Sequence, residues 1–257
     1  MMFNQEKQKD IGNEKKPIVV VAAMEVEFDF LLKQLENPVC NLVGKFKYYE
    51  GTINGYPVII CHCHVMTINA TLATYIAIEK YHPIAIINEG TAGAHGKDIH
   101  KNDIVIGTKS VNISSLKTPT KKEGEGSNSL EWSIISFIAD DKGDRLEFQP
   151  GDKNLIKIAQ SIEYSDGNIH TGVIGSGDVW NNEADRILWF NRNLGTICEE
   201  MESISVYTVA NNFNVPVIAI KVISNNEILN ESFDESTAIG AQKFAYDLIL
   251  KMISEYL

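Results

Sequence analysis

Short stretches of uninterrupted apolar residues punctuate the chain, and between them apolar residues recur at helical spacing. Pro17 to Ala23 reads PIVVVAA, and Phe28, Leu31, Leu32 and Leu35 then follow three and four apart. The first pattern predicts a strand buried on both faces, the second an amphipathic helix. Lys47 to Ile53 and Tyr56 to Cys63 are β-rich pieces separated by Asn54-Gly55. Both of those residues tolerate positive φ, which predicts a hairpin. A helix over Thr67 to Tyr81 leads through Pro83 into a second buried strand, Ile84 to Asn88, and Ile104 to Gly107 continues the series. Residues 112–131 lack periodicity and are rich in Ser, Thr, Gly and Lys. They predict a long surface loop, of the kind that often serves as a lid or binding loop. Beyond it the pattern gives a helix at Lys153 to Ser161, a strand at His170 to Gly175 and a helix at Ser203 to Phe213. A buried strand at Val217 to Val222 and a closing helix from Ser236 to Leu257 complete the chain.

Strand and helix alternate throughout, and the buried strands are near-continuous apolar runs. These features predict an α/β fold, one domain with a central mixed, mostly parallel sheet flanked by helices. Residues 1–16 mix charges of both signs without an apolar segment, so they are expected to form a mobile tail ahead of a domain spanning 17–257. The 23 Lys and Arg against 34 Asp and Glu give a net charge of −11. That field repels phosphate backbones and anionic membrane surfaces, so neither nucleic acid nor membrane is an expected partner. No apolar run approaches the length needed to span a bilayer. Four cysteines in 257 residues are too few for a disulfide framework, which points to reduced thiols and a cytoplasmic location.

In an α/β sheet the ligand site lies beyond the carboxyl ends of the strands. Four segments there are chemically rich: Ala23-Met24-Glu25-Val26-Glu27, Asn88 to Gly93 (NEGTAG), Ser176 to Trp180 (SGDVW) and Ser224 to Glu227 (SNNE). A fifth, Glu199 to Ser203 (EEMES), puts three carboxylates where a helix begins. Gly90 and Gly93 permit close backbone approach, and Thr91 adds a hydroxyl, so NEGTAG is either an oxyanion or hydroxyl cradle or a plain strand-to-helix turn. The acidic cluster is equally open, since a helix dipole alone favours acids in a first turn. In Cys61-His62-Cys63-His64 strand alternation would separate thiols from imidazoles, and no second ligand pair accompanies them, so no metal is expected. His95 stands next to the glycine turn, either against a ligand or exposed.

The order AMEVE, GTAG, SGDVW, EEMES, VPVIAIKVISN over residues 17 to about 235 resembles the purine nucleoside phosphorylase and nucleosidase superfamily. Within it the chain is most similar to the 5'-methylthioadenosine/S-adenosylhomocysteine nucleosidases. The resemblance implies a partly closed sheet, a homodimer, a purine nucleoside as the small-molecule partner, and no cofactor. It implies that Glu27 activates the attacking water, that Glu202 accepts the ribose hydroxyls and that Met201 packs beneath the sugar. Thr91 and Gly93 would lie beside the sugar and nucleophile, Trp180 would stack on the base unless it is a core tryptophan, and Met24 and Phe233 would line an apolar pocket for the 5'-substituent.

The implied activity is hydrolysis of the N-glycosidic bond of 5'-substituted adenine nucleosides. The arginines that hold phosphate in the phosphorylases are missing from AMEVE and from Asn88, and Glu25, Glu27 and Glu89 would repel it. Lys221 is the one candidate cation nearby, or else a snorkelling side chain. Two departures from the pattern stand out. The general-acid aspartate is replaced by Asn225, and Cys61 to Met66 reads CHCHVM where the family usually carries a GxG-type turn. Asn225 also suits a 6-oxopurine base, so a nucleosidase or phosphorylase for inosine-like nucleosides is one alternative. A catalytically weak nucleoside-binding or storage protein is the other.

Overall fold

The computed structural model describes residues 15–255 except 136–137, 141–142 and 146, with backbone alone for 138–140 and 143–145. Most of the sequence-predicted tail, residues 1–14, and the last two residues of the predicted closing helix, 256–257, lie outside the described residues.

Ten strands form the main sheet: β1 (Ile18–Ala22), β2 (Glu36–Val43), β3 (Phe46–Ile53), β4 (Tyr56–His62), β5 (Ala85–Ala94), β6 (Ile104–Asn112), β7 (Phe148–Pro150), β8 (Ile169–Ser176), β9 (Thr196–Glu200) and β10 (Val217–Asn225). The helices are α1 (Asp29–Gln34), α2 (Thr67–Tyr81), α3 (Lys153–Ala159), α4 (Ala184–Leu194), α5 (Ser203–Asn212) and α6 (Ala238–Glu255). From one edge the order is β2, β3, β4, β1, β5, with β9, β8, β6 and β7 beyond, while β10 joins β5 to β6. The five strands β5, β9, β8, β6 and β10 thereby close a ring, so the sheet is part open and part barrel. Five of the ten pairings among the described residues are parallel. The sheet is therefore evenly mixed, where the apolar runs suggested a parallel majority.

β1 explains the uninterrupted apolar pattern. Ile18, Val20 and Ala22 enter a core shared with Leu155 of α3 and Phe244 and Leu248 of α6, while Val19 and Val21 enter a second core with Ala73 of α2 and Val206 of α5. Helices therefore cover both faces, and a strand buried on both has no polar side to show.

The hairpin forms as expected, with Asn54 at φ 49° and Gly55 at φ 68°. Helix α2 matches its predicted span. The first predicted helix is shorter, a 3₁₀ turn at Glu25–Glu27 followed by one and a half turns of α1. β2, β7, α4 and β9 were not foreseen. β2 is an almost fully exposed edge strand carrying Pro38, so no burial pattern marks it. Four strands run past their apolar runs. β5 continues through GTAG to Ala94, β6 to Asn112, β8 to Ser176 and β10 to Asn225. The reading of GTAG as a strand-to-helix turn is thus corrected: these residues are strand, and their chemistry projects from the sheet itself. The loop at 112–131 lines no part of the cleft described below. It is clamped instead to α4, where the buried Arg186 Nη1 donates to the carbonyls of Ser129 and Trp132 at 2.8 and 3.2 Å. No helix among the described residues is long and apolar enough to cross a membrane.

Candidate active site

A cleft of about 470 Å³ opens at the carboxyl ends of β1, β5, β9 and β10. The nine residues to which the resemblance gives a catalytic or substrate-binding role all line it: Met24, Glu27, Thr91, Gly93, Trp180, Met201, Glu202, Asn225 and Phe233.

Glu27 is buried and held by four donors. Its Oε2 accepts from the backbone N–H groups of Ala23 (3.2 Å) and Met24 (3.0 Å), and its Oε1 from the N–H (2.9 Å) and hydroxyl (3.0 Å) of Thr91. The cradle inferred around Thr91 therefore serves a side chain of the protein itself. Gly90, at φ 153°, makes this possible, since a Cβ there would sit 2.9 Å from Glu27 Oε1. At Gly93 a Cβ would lie 3.2 Å from Asn225 Nδ2, with which Gly93 pairs in register.

Of the acidic cluster, Glu200 is the member whose role sequence reasoning missed. Its carboxylate accepts from the N–H groups of Glu202 and Ser203, all at 3.0 Å, and so satisfies the free donors at the start of α5. It also meets Lys221 Nζ at 2.9 Å in a buried ion pair. Lys221 is 1% exposed, so the snorkelling alternative is corrected, and with Glu200 as partner it is not a free cation either. Burial disfavours its charge, but Glu200, with Glu202 and Glu27 further off, outweighs this and holds its pKa above the usual lysine value. The pair fixes the backbone from which Glu202 projects. Glu202 Oε1 accepts from Met66 N–H at 2.8 Å. Burial, then the charge of Glu200, pushes the pKa of Glu202 up to about 8.

Around the mouth, Trp180 is 60% exposed and meets Phe233 edge-on, ring centroids 5.5 Å apart. The core-tryptophan alternative is excluded. Asn225 is oriented by its neighbours: Oδ1 accepts from Ser224 Oγ at 3.0 Å and Nδ2 donates to Glu227 Oε1 at 3.3 Å. Asp178 accepts from Thr67 N–H and hydroxyl at 2.8 and 2.7 Å, tying the start of α2 to the loop after β8.

Two residues of the β4–α2 turn have positive φ without being glycine: His64 (62°) and Met66 (83°, with ψ 156°). Met66 lies in a region that essentially only glycine populates, at a cost of about 1–3 kcal/mol for any other residue.

Several other expectations are corrected. Glu25 is exposed and paired with Lys47 at 2.9 Å, and Glu89 is buried away from the cleft, its oxygens unpartnered among the described residues. The carboxylates that do line the cleft beside Glu27 are Asp178, Glu199, Glu200 and Glu202. Asn88 serves the framework, donating to Val21 O (3.0 Å) and accepting from Ser203 Oγ (2.8 Å). His95 is neither exposed nor at a ligand position. It is fully buried and bridges Thr196 Oγ1 (2.8 Å) and Glu199 Oε2 (3.0 Å). Cys61 and Cys63 sit in the core beside Tyr48, while the His62 ring packs on Phe28 and His64, so the four side chains do not converge.

A part-closed mixed sheet with helices on both faces and an acid-lined cleft at the strand ends defines an α/β protein built to hold a small molecule. The chain belongs to the phosphorylase superfamily, whose family model matches residues 17–254. Among curated relatives, a 5'-methylthioadenosine/S-adenosylhomocysteine nucleosidase of Desulfotalea psychrophila is 29% identical over 85% of this chain and 88% of its own. One of a Geobacillus species is 24% identical over 92% and 97%. Among solved structures, the S. pneumoniae nucleosidase of the same name, with a transition-state inhibitor, superposes with a TM-score of 0.75 at 23% identity, covering 92% of this chain and 99% of that one. A futalosine hydrolase of Helicobacter pylori gives 0.73 at 20% identity over 92% and 98%. At these identities the structural likeness establishes the fold.

Proposed function

We propose that the chain is a purine nucleosidase that hydrolyses the N-glycosidic bond of 5'-substituted adenine nucleosides such as methylthioadenosine and adenosylhomocysteine, releasing adenine. The observation that carries this reading is the Glu27 carboxylate, locked by four donors at the wall of a cleft whose described lining holds five acids and no lysine or arginine. A phosphate dianion would find no counter-charge there, since Lys221 is committed to Glu200. Water is the nucleophile that fits, and the curated relatives carry nucleosidase names.

In this reading Trp180 stacks on the purine, Met201 packs beneath the ribose and Glu202 accepts its hydroxyls. Thr91 and Gly93 flank the sugar, and Met24 and Phe233 take the apolar 5'-group. As the glycosidic bond stretches, the sugar becomes cation-like and the surrounding carboxylates stabilise it. Glu27 takes a proton from the attacking water. Asn225 donates Nδ2–H to the departing base, which stabilises the anion without delivering a proton, and the adenine anion takes its proton from solvent water. The reaction consumes only water and calls for no cofactor. Four free thiols support a cytoplasmic setting, and the substrates would tie the protein to methionine salvage.

We further infer a homodimer. Ile68, Leu72 and Tyr75 stand exposed along one outer stripe of α2, with Phe213 packed against Tyr75. Such a contiguous apolar face suits a second copy of the chain.

Asn225 also supports a second reading, a nucleosidase for 6-oxopurine nucleosides, because an amide donor suits O6. Incubating the protein with methylthioadenosine, adenosylhomocysteine and inosine, with and without phosphate, and identifying base and sugar products decides among these. Free adenine with free sugar is expected. Sugar 1-phosphate would overturn hydrolysis, release from inosine alone would favour the second reading, and binding without release would mark a nucleoside-binding protein.

A further inference from the structure

Met66 holds a backbone conformation that a glycine would adopt without strain, so its side chain must contribute something glycine cannot. The N–H it gives to Glu202 at 2.8 Å is not that contribution, because glycine would donate it equally. Nor is it core packing, because Met66 remains 48% exposed. What is left is the side chain itself, an unbranched thioether on the wall of the cleft. Its place is fixed from both sides: Glu202 grips its own N–H, and Asp178 grips the N–H and hydroxyl of the next residue, Thr67. Beside Glu202 it stands at the sugar end of the cleft, and the base end is marked by Trp180 and Asn225.

We infer that Met66 is a specificity-determining residue that limits the length of the 5'-substituent, favouring a short thioether over one carrying a charged amino-acid terminus. The inference rests on the nucleosidase reading for the orientation of the ligand. An apolar, deformable side chain welcomes a methylthio group by contact, and offers no hydrogen bond to an ammonium or carboxylate that would have to pass it. Strain retained at a functional wall, with no gain in stability, is the expected signature of such a role.

The test uses Met66→Ala and Met66→Gly in the full chain. Both remove the side chain, and only glycine also relieves the backbone. kcat/KM is measured for a series of adenosine 5'-thioethers, from methylthio through butylthio to homocysteinyl, and Kd is measured calorimetrically on the same series with Glu27→Gln added to each protein so that the ligand is not consumed. Wild type is expected to favour methylthio over homocysteinyl by about tenfold or more, and both variants to lose most of that preference. Met66→Gly should also raise Tm by at least about 2 °C, and Met66→Ala should not. Because Kd does not depend on turnover, an inactive wild type would overturn the hydrolytic reading while the length preference could still be read. Equal affinity of wild type across the series, no affinity for any member, or a preference unchanged in both variants would overturn the inference. A change in oligomeric mass with preference unchanged would do the same.

Discussion

Asn225 and Glu202 are two side chains whose chemistry can be altered almost without altering shape. Asn225 stands at the base end with its amide already oriented by Ser224 and Glu227. Asn225→Asp would add a titratable proton, and general acid catalysis contributes about 10²- to 10⁴-fold. Turnover of methylthioadenosine is therefore expected to rise by about 10²-fold, and turnover of inosine to fall, since a carboxylate repels O6. Steady-state kinetics on both substrates checks this, and loss of methylthioadenosine turnover with the fold intact would remove the acid from the account. Glu202 differs because its pKa is raised to about 8 from an ordinary 4.5, by burial and by Glu200. The folded protein holds that proton more tightly than the unfolded chain. The stability linked to it is thus fully present below about pH 4.5 and is lost as pH rises to about 8. Glu202→Gln should flatten the fall of Tm across that window, and Tm profiles of the two proteins that run parallel would contradict the assignment.

At the level of elements, the start of α5 hangs on one buried ion pair. Glu200, at the end of β9, satisfies the N–H groups of Glu202 and Ser203 and is neutralised by Lys221 from β10. Lys221→Met would leave Glu200 buried beside Glu202 and Glu27 without a counter-charge. Removing one partner of such a pair costs about 3–5 kcal/mol, against about 0–1 kcal/mol for an exposed one such as Lys80–Glu50. Urea denaturation should show that loss. A loss under about 1 kcal/mol would mean that Glu200 takes up a proton and the pair is dispensable.

Over the whole molecule, α2 faces two ways. Ala70, Ala73 and Ala77 pack inward against the sheet, while Ile68, 71% exposed, with Leu72 and Tyr75 faces out. Small inward residues let the helix lie close to β1 and leave the larger apolar side chains outside, the reverse of an ordinary surface helix. Leu72→Asp is expected to convert the proposed dimer to monomer, read as a halving of mass by light scattering, without change in the fold by circular dichroism. A protein that is monomeric before the substitution would remove this role from the outer face.

Much of this architecture was legible because burial leaves a direct trace in sequence. β1, buried on both sides, can only be apolar, and Asn54-Gly55 can hardly be other than a turn. Eight of the nine cleft residues were legible through the order of five short motifs, each clinging to the end of a strand where the backbone geometry is exacting, and the ninth, Phe233, through the ESFDES segment that follows them. β9 escaped because two of its five residues are glutamates: Glu200 is buried through its pairing with Lys221, twenty-one positions later, and Glu199 is held by His95. β2 escaped because an exposed edge leaves no apolar pattern. Sequence alone could count the charges but not pair them. That Glu27 is held by Thr91, that Glu200 rather than a ligand takes Lys221, that His95 turns inward to Glu199, and that Met66 occupies a glycine conformation were decided by tertiary structure. Each depends on the distance between groups far apart in the chain, and hydrogen bonds and ion pairs act over only a few ångströms.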